Sequence, residues 1–568
     1  MISYRFFLVE AGAARGRLRL PAFLLALCLT LMGCAQAGPS ASATPLTPAT
    51  APSTATRPAG PPIADAYPIG SPVLAELWVD PLHGDDGRSG ATRDQALATI
   101  NEAWRRIPQG QPLHGNGYRI NLVAGDYPSD AFPVYWEDRH GTYQFPIILS
   151  SADGPGAARL LGNVNVFAVD YLYLLGLRIE NSGDVFHCEQ CSYLLIREST
   201  LWSANRQAQE TLKVNQSQHV YIEQSEIGGS HDNAIDFVAV QHGHVLDNRI
   251  HDSQDWCIYL KGGSAYFRVA GNEIYDCGTG GFTAGQGTGF EFMVAPWLHY
   301  EAYAIQFFNN VIHDTEGAGF GVNGGYDILL AYNTLYRVGS RSHGLEFVFG
   351  GRGCDGDAAT CAAHRALGGW GSSVVGSDEP IPNRNVFAYN NLLYNPPGFR
   401  SEWQHFAIYG PRTPSADTGI PSPARSDDNL QIGGNLIWNG PPDLPLGIEE
   451  GDQGCRPDNP TCNETQLRAD NRINQVQPSL MDPESGDFRP TPGSLAGIVA
   501  LPLPAFPAWD AFTPAVPPGE LANVVLTDRA GQPRPAGGPP GAYIEPSESP
   551  TSHAIFLPAL FVAVHDRR

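Results

Sequence analysis

Asn248-Arg249-Ile250-His251, Asn272-Glu273-Ile274-Tyr275, Asn310-Val311-Ile312-His313 and Asn333-Thr334-Leu335-Tyr336 are one phrase written four times. It is an Asn, then Ile or Leu two places on, then an aromatic residue or His. The phrase returns as Asn391-Leu392-Leu393-Tyr394 and Asn435-Leu436-Ile437-Trp438, with earlier versions ending at Leu201 and Ile227. The uninterrupted intervals from Ile227 to Ile250, Ile250 to Ile274 and Ile312 to Leu335 are 23, 24 and 23 residues, a period of coiled repeats and not of a globular core. Leucine-rich horseshoes share this period, but the interior of each repeat holds short β-branched and aromatic runs (220–222, 267–269, 328–330) between Gly, Asn and Asp. That leaves no room for a helix, so each repeat is a rung of strands. An Asn at the same turn of successive rungs can bond its neighbours along the stack, which makes the Asn row a structural feature.

Composition fits an exported surface protein. The chain has 568 residues with 63 Gly and 48 Pro, enough for a long core divided into short elements. A net charge of −23 excludes nucleic acid as a partner and suits neutral glycans, or acidic ones where a cation mediates. Arg15, Arg17 and Arg19 precede an apolar run at 21–32 that stops at Leu31-Met32-Gly33-Cys34, which resembles a bacterial lipoprotein signal. That reading makes 1–34 a signal peptide and Cys34 the lipidated residue, with the lipid as the only membrane contact. Residues 35–68, rich in Ala, Pro, Ser and Thr, are a disordered tether. Of ten cysteines, the eight beyond Cys34 are expected as disulfides serving as local staples: Cys188 with Cys191, Cys257 with Cys277, Cys354 with Cys361 and Cys455 with Cys462.

Leu77-Trp78-Val79-Asp80, the loop Gly84-Asp85-Asp86-Gly87-Arg88-Ser89-Gly90 and Ala98-Thr99-Ile100-Asn101-Glu102-Ala103 resemble the opening of right-handed parallel β-helix proteins of the pectin-lyase-like superfamily. Gly486-Asp487-Phe488-Arg489-Pro490, the stretch 528–534 and Gly541-Ala542-Tyr543 resemble the closing segment of surface-exposed members. The resemblance implies an all-β solenoid at 69–445, a C-terminal capping region at 446–545 and a tail at 546–568. It leaves the activity open, because lyases, hydrolases, esterases and inert adhesins share the scaffold. Separately, apolar residues at helical spacing within 94–106 predict a helix capping the first rung.

Chemistry in a solenoid lies along one outward face. With Phe186, Leu212, Ile235, Ile258, Phe282, Phe320 and Leu345 inward, period two places His187, Lys213, Asp236, Tyr259, Thr283, Gly321 and Glu346 outward. A second outward row reads Glu189, Asn215, Val238, Lys261, Gly285, Asn323 and Val348. Lys213 and Lys261 are the chain's only lysines among 35 basic residues, and both fall on this face. An ammonium can release its proton in a partly buried site where a guanidinium cannot, and the resemblance implies lyases that abstract a proton α to a uronate carboxylate with Lys or Arg, commonly with calcium. Lys213 pairing with Asp236 across rungs is the plain alternative. Asp232 and Asp255 are expected at one turn of successive rungs with Asp236 opening the next strand, a set of oxygens suited to Ca²⁺ or, equally, ordinary turn residues.

Insertions after Phe282 and Phe349 would wall a cleft, bringing Glu291, Trp297, Tyr300, Glu301 and Arg352 beside Lys261. The expectation is therefore a cell-surface or secreted, lipid-anchored, monomeric protein that binds a polysaccharide and cleaves a uronate-containing glycan by β-elimination. In it Lys261 is the base, Tyr259 or Glu291 the acid, and Lys213, Arg352, Trp297 and Tyr300 bind substrate, while Asp232, Asp236 and Asp255 hold calcium. The alternatives are a non-catalytic glycan-binding or adhesive β-helix and a glycoside hydrolase.

Overall fold

The computed structural model describes residues 66–519 and 521–545. The signal segment, Cys34, nearly all of the tether and the tail from 546 lie outside the described residues. Three parallel ladders wind through the chain as a β-helix. Within one rung the order is Phe186–Glu189 in the first ladder, Ser192–Arg197 in the second and Thr200–Ser203 in the third. The next rung pairs residue for residue with it: Phe186 with Leu212, Leu194 with Val220, and Leu201 with Ile227. The repeat period thus becomes a rung offset.

The inward residues explain the register. Phe186, Leu212, Ile235, Ile258, Phe282, Phe320 and Leu345 are all buried in one continuous core, and a slip of one residue would turn each of them outward. At the turn into the third ladder the Asn side chains form a chain: Asn248 donates to Asn272 (3.0 Å), Asn272 to Asn310 (2.9 Å), Asn310 to Asn333 (3.0 Å), Asn333 to Asn391 (2.9 Å) and Asn391 to Asn435 (2.9 Å). Asn471 adds a further member, accepting from Asn435 at 2.8 Å. Each of these amides satisfies backbone groups that strands leave unpaired at a bend.

All four expected cysteine pairs are bonded: Cys188 to Cys191, Cys257 to Cys277, Cys354 to Cys361 and Cys455 to Cys462. The first two pairs do more than staple loops. Cys188, Cys191, Cys257 and Cys277 are all buried in the continuous core, where a disulfide packs as an apolar group. Cys188 ends inward in the first ladder and Cys191 at the bend after it, so this bond closes the corner between the first and second ladders. Cys277, in the third ladder, reaches back to Cys257 in the first ladder of the same coil turn. The bond thus closes the corner where the third ladder meets the first.

Two boundaries also differ from expectation. The cap helix covers only Ile100–Arg105, started by the Thr99 side chain accepting from Glu102 N–H, because Leu97 is extended and bridges to Val79. Leu436–Trp438 pairs with Arg472–Ile473, so the coil continues past residue 445; the residues between them form an excursion carrying the Cys455–Cys462 disulfide. Beyond the last rung, the chain returns along the outside of the coil, where the carbonyl of Pro517 accepts from the Tyr266 hydroxyl and that of Ala522 from Gln306. No helix among the described residues is long and apolar enough to cross a membrane.

Candidate functional site

The first ladder carries both outward rows in the expected register. His187 pairs with Lys213, Lys213 with Asp236, Asp236 with Tyr259, Tyr259 with Thr283, Thr283 with Gly321 and Gly321 with Glu346. Glu189, Asn215, Val238 and Lys261 follow one another in the second row. Parallel strands therefore bring both lysines to one side of the coil, about 4.8 Å per rung.

Asp236 is the hub. Its carboxylate is 1% exposed, and Lys213 donates to Oδ2 at 3.0 Å and to Glu210 at 2.7 Å. Burial disfavours the Lys213 charge, but Asp236 and Glu210 outweigh it and push the ammonium upward. Lys213 stays protonated and two of its three N–H directions are committed. Lys261 sits 3.7 Å from the other oxygen, Oδ1, which accepts no hydrogen bond, and its Nζ lies over the Tyr259 ring at 4.5 Å. Tyr259 donates to Asp255 Oδ2 at 2.7 Å. Burial, then Asp255, pushes this hydroxyl well up, so it remains a proton carrier.

Asp232 and Asp255 do stack at one turn, with Asp255 N–H donating to the Asp232 carbonyl at 3.2 Å. Burial and the Asp255 carboxylate raise the Asp232 carboxyl, which lessens the repulsion of like charges at this turn. The acidic trio does not assemble for calcium, because Asp236 is turned to the lysines. Among the described residues the one group of three ligand atoms close enough for a metal is Glu291 with Cys354 and Cys361, and those sulfurs are bonded to each other.

The insertions fold differently from expectation. Glu291 accepts from the N–H groups of Asp355 (3.0 Å), Gly356 (2.8 Å) and Asp357 (3.1 Å). Burial opposes its charge, yet these donors hold the carboxyl below its usual range, so it ties down a loop and is no acid catalyst. Arg352 is fully buried and is paired to Glu301 while donating to the carbonyls of Trp370 and His299. Trp297 and Tyr300 are buried too, packed against Tyr266 and Tyr303 of the second ladder and Trp370 of the later insertion. The insertion replaces the turn between first and second ladders and folds towards the second, where the returning chain supplies Phe512 to the same cluster. None of these three side chains can meet a ligand. Their contribution is positional: Glu301 Oε2 accepts from the N–H of Gly262 at 3.0 Å, the residue after Lys261. Gly262 has φ +64°, and a Cβ there would meet Val238 at 2.8 Å, which reserves the position for glycine.

Farther along the face lies a grouping that sequence reasoning did not assemble. Glu346 accepts from Asn323 at 2.8 Å and contacts His343 Nε2 at 2.8 Å, and Asn323 in turn accepts from Thr283 at 3.2 Å. The signal available was the alternation itself, which placed Asn323 and Glu346 outward.

The family model described as a right handed beta helix region matches residues 184–355. A solved structure titled as XylC with xylose is 11% identical over 83% of this chain and 98% of its own, with a TM-score of 0.44. A pectate lyase is 13% identical over 57% and 77%, TM-score 0.38. The A-module of a mannuronan C-5 epimerase from Azotobacter vinelandii is 12% identical over 57% and 85%, TM-score 0.34. No curated protein sequence matches the chain. The protein has a right-handed parallel β-helix fold.

Proposed function

We propose that this face binds a uronate-containing polysaccharide and cleaves it by β-elimination, with Lys261 as the base. The observation carrying the reading is the Lys261 Nζ, partly exposed, with no hydrogen bond among the described residues, and set between the free oxygen of Asp236 and the ring of Tyr259. Having passed its own proton to solvent, Lys261 takes the proton α to the uronate carboxyl; the electron pair forms the new C=C bond as the bond to the glycosidic oxygen breaks. The leaving oxygen takes the Tyr259 proton when that hydroxyl rotates away from Asp255, and a solvent proton restores it. Lys213 keeps one N–H direction for the substrate carboxylate. No step runs through calcium, because the carboxylates it needs are engaged elsewhere.

Asp236 and Glu346 are four rungs apart, about 19 Å at strand spacing, against about 5–9.5 Å for paired catalytic carboxyls, so these two do not form the acid–base pair of a glycoside hydrolase. The deciding experiment incubates the full protein with uronate polymers. Ultraviolet absorbance of an unsaturated uronate supports the reading; reducing ends without absorbance indicate hydrolysis; binding without either indicates an adhesive module.

A further inference from the structure

A polymer lying along the coil axis places roughly one sugar over each rung of about 4.8 Å, so the rows set what each sugar meets. Of the described residues in the two outward rows, Lys213 and Lys261 are the only cations. Lys213 is already offset by Asp236 and Glu210. Lys261, 3.7 Å from the oxygen of Asp236 that accepts no hydrogen bond, is the cation left open to a ligand carboxylate. Three rungs to its N-terminal side lies Glu189, whose carboxyl burial raises; that rung offers a neutral or anionic group and never a cation. Three rungs to the other side lies Glu346. Between them stand Asn215, Val238, Thr283, Gly285 and Asn323, which are uncharged.

Exposed aromatic rings flank the cation at a distance. Phe167 precedes Glu189 in the second row and is 39% exposed. Phe292, 47% exposed, is anchored above this side by its carbonyl accepting from Gln216. Trp403, 59% exposed, lies 6.1 Å from the His343 ring beside Glu346. Such faces suit the apolar side of an uncharged sugar ring. The next cation, Arg412, rests over Phe349 and Tyr409; Tyr409 follows Ile408, the partner of Phe347, four rungs from Lys261. A homopolymer of uronates would put a carboxylate on every intervening rung without a cation to meet it, next to Glu346 and in a chain of charge −23.

We infer that the polymer is a heteropolysaccharide in which single uronates are separated by uncharged sugars, the uronate seated at Lys261 and uncharged sugars over Phe167, Phe292 and Trp403. This rests on the uronate reading above and narrows it.

The test uses the full protein carrying Tyr259→Phe, which keeps the cation, titrated calorimetrically with two hexasaccharides: one of six uronates, and one with a single uronate among neutral hexoses. The mixed oligosaccharide should bind at least about tenfold tighter, since like-charge contacts are costly. Phe167→Ala should weaken the mixed ligand alone, and Glu189→Lys with Glu346→Lys should shift preference towards the all-uronate ligand. Equal or tighter binding of the all-uronate ligand overturns the inference, as does indifference to all three substitutions. Failure of the wild type to form unsaturated product from either class of polymer defeats the eliminative reading instead, and leaves the binding order to decide this one.

Discussion

Lys261 Nζ lies 3.7 Å from Asp236 Oδ1, an oxygen with no hydrogen bond, while Lys213 holds the opposite oxygen of the same carboxylate at 3.0 Å. One buried carboxyl thus sorts the chain's two lysines into a bonded structural partner and an unbonded, partly exposed group.

Lys261→Ala should cut unsaturated-product formation by about 10²- to 10⁴-fold, the usual weight of a general base. Thermal unfolding should stay near wild type, because no hydrogen bond of the amine is lost. An active variant would remove Lys261 from the mechanism.

Lys213→Met should act on stability. It leaves Asp236 and Glu210 facing each other, one of them fully buried, at a cost of about 2–3 kcal/mol once its partial exposure is allowed for. Urea denaturation of the two lysine variants side by side should show the larger loss at Lys213.

A chelator should change neither activity nor the unfolding midpoint, since Asp236 is paired to the lysines and burial and Asp255 raise the Asp232 carboxyl. Loss of either on dialysis against EDTA, restored by Ca²⁺, would show that the carboxyls rearrange around a cation.

Asp327 supplies a pH dependence. It is 4% exposed, and burial pushes its carboxyl up to about 7, although Asn385 donates to it at 2.7 Å. A carboxyl raised on folding favours the native state fully below its unfolded value and progressively less as pH rises through the folded one. Asp327→Asn should therefore gain stability relative to wild type as pH climbs from about 4 to about 8, measured as the difference in melting temperature. A difference that does not vary with pH would refute this.

Asn310→Ala should cost about 3 kcal/mol or more. It removes donors to the Val269 carbonyl and Asn333 and the acceptor of Asn272 N–H, all buried. A denaturation midpoint like that of wild type would contradict the ladder's energetic role.

The coil and both outward rows were legible in the sequence, because period-two alternation and a constant offset between rungs are local properties: once Ile235 and Ile258 are inward, Asp236 and Tyr259 must be neighbours. The lysines' division was not, since it depends on Glu210 reaching Lys213 from its own rung. The insertions were misread for a different reason. Trp297 and Tyr300 look like groove aromatics until the returning chain brings Trp509 and Phe512, some two hundred residues later, into contact with their neighbours. Likewise Glu301 and Arg352 are ordinary polar residues in sequence and a buried pair only after two separate excursions meet.

The closing segment folds back over rungs completed far earlier: the Arg529 guanidinium donates to the carbonyl of Gly271, and Ala542 N–H to the Thr334 hydroxyl. The middle of the coil is therefore sealed by residues that leave the ribosome long after it. Deleting that segment would loosen the central rungs that flank Lys261, far from the cut in sequence, and a nascent chain would carry those rungs unsealed while the rest was being made.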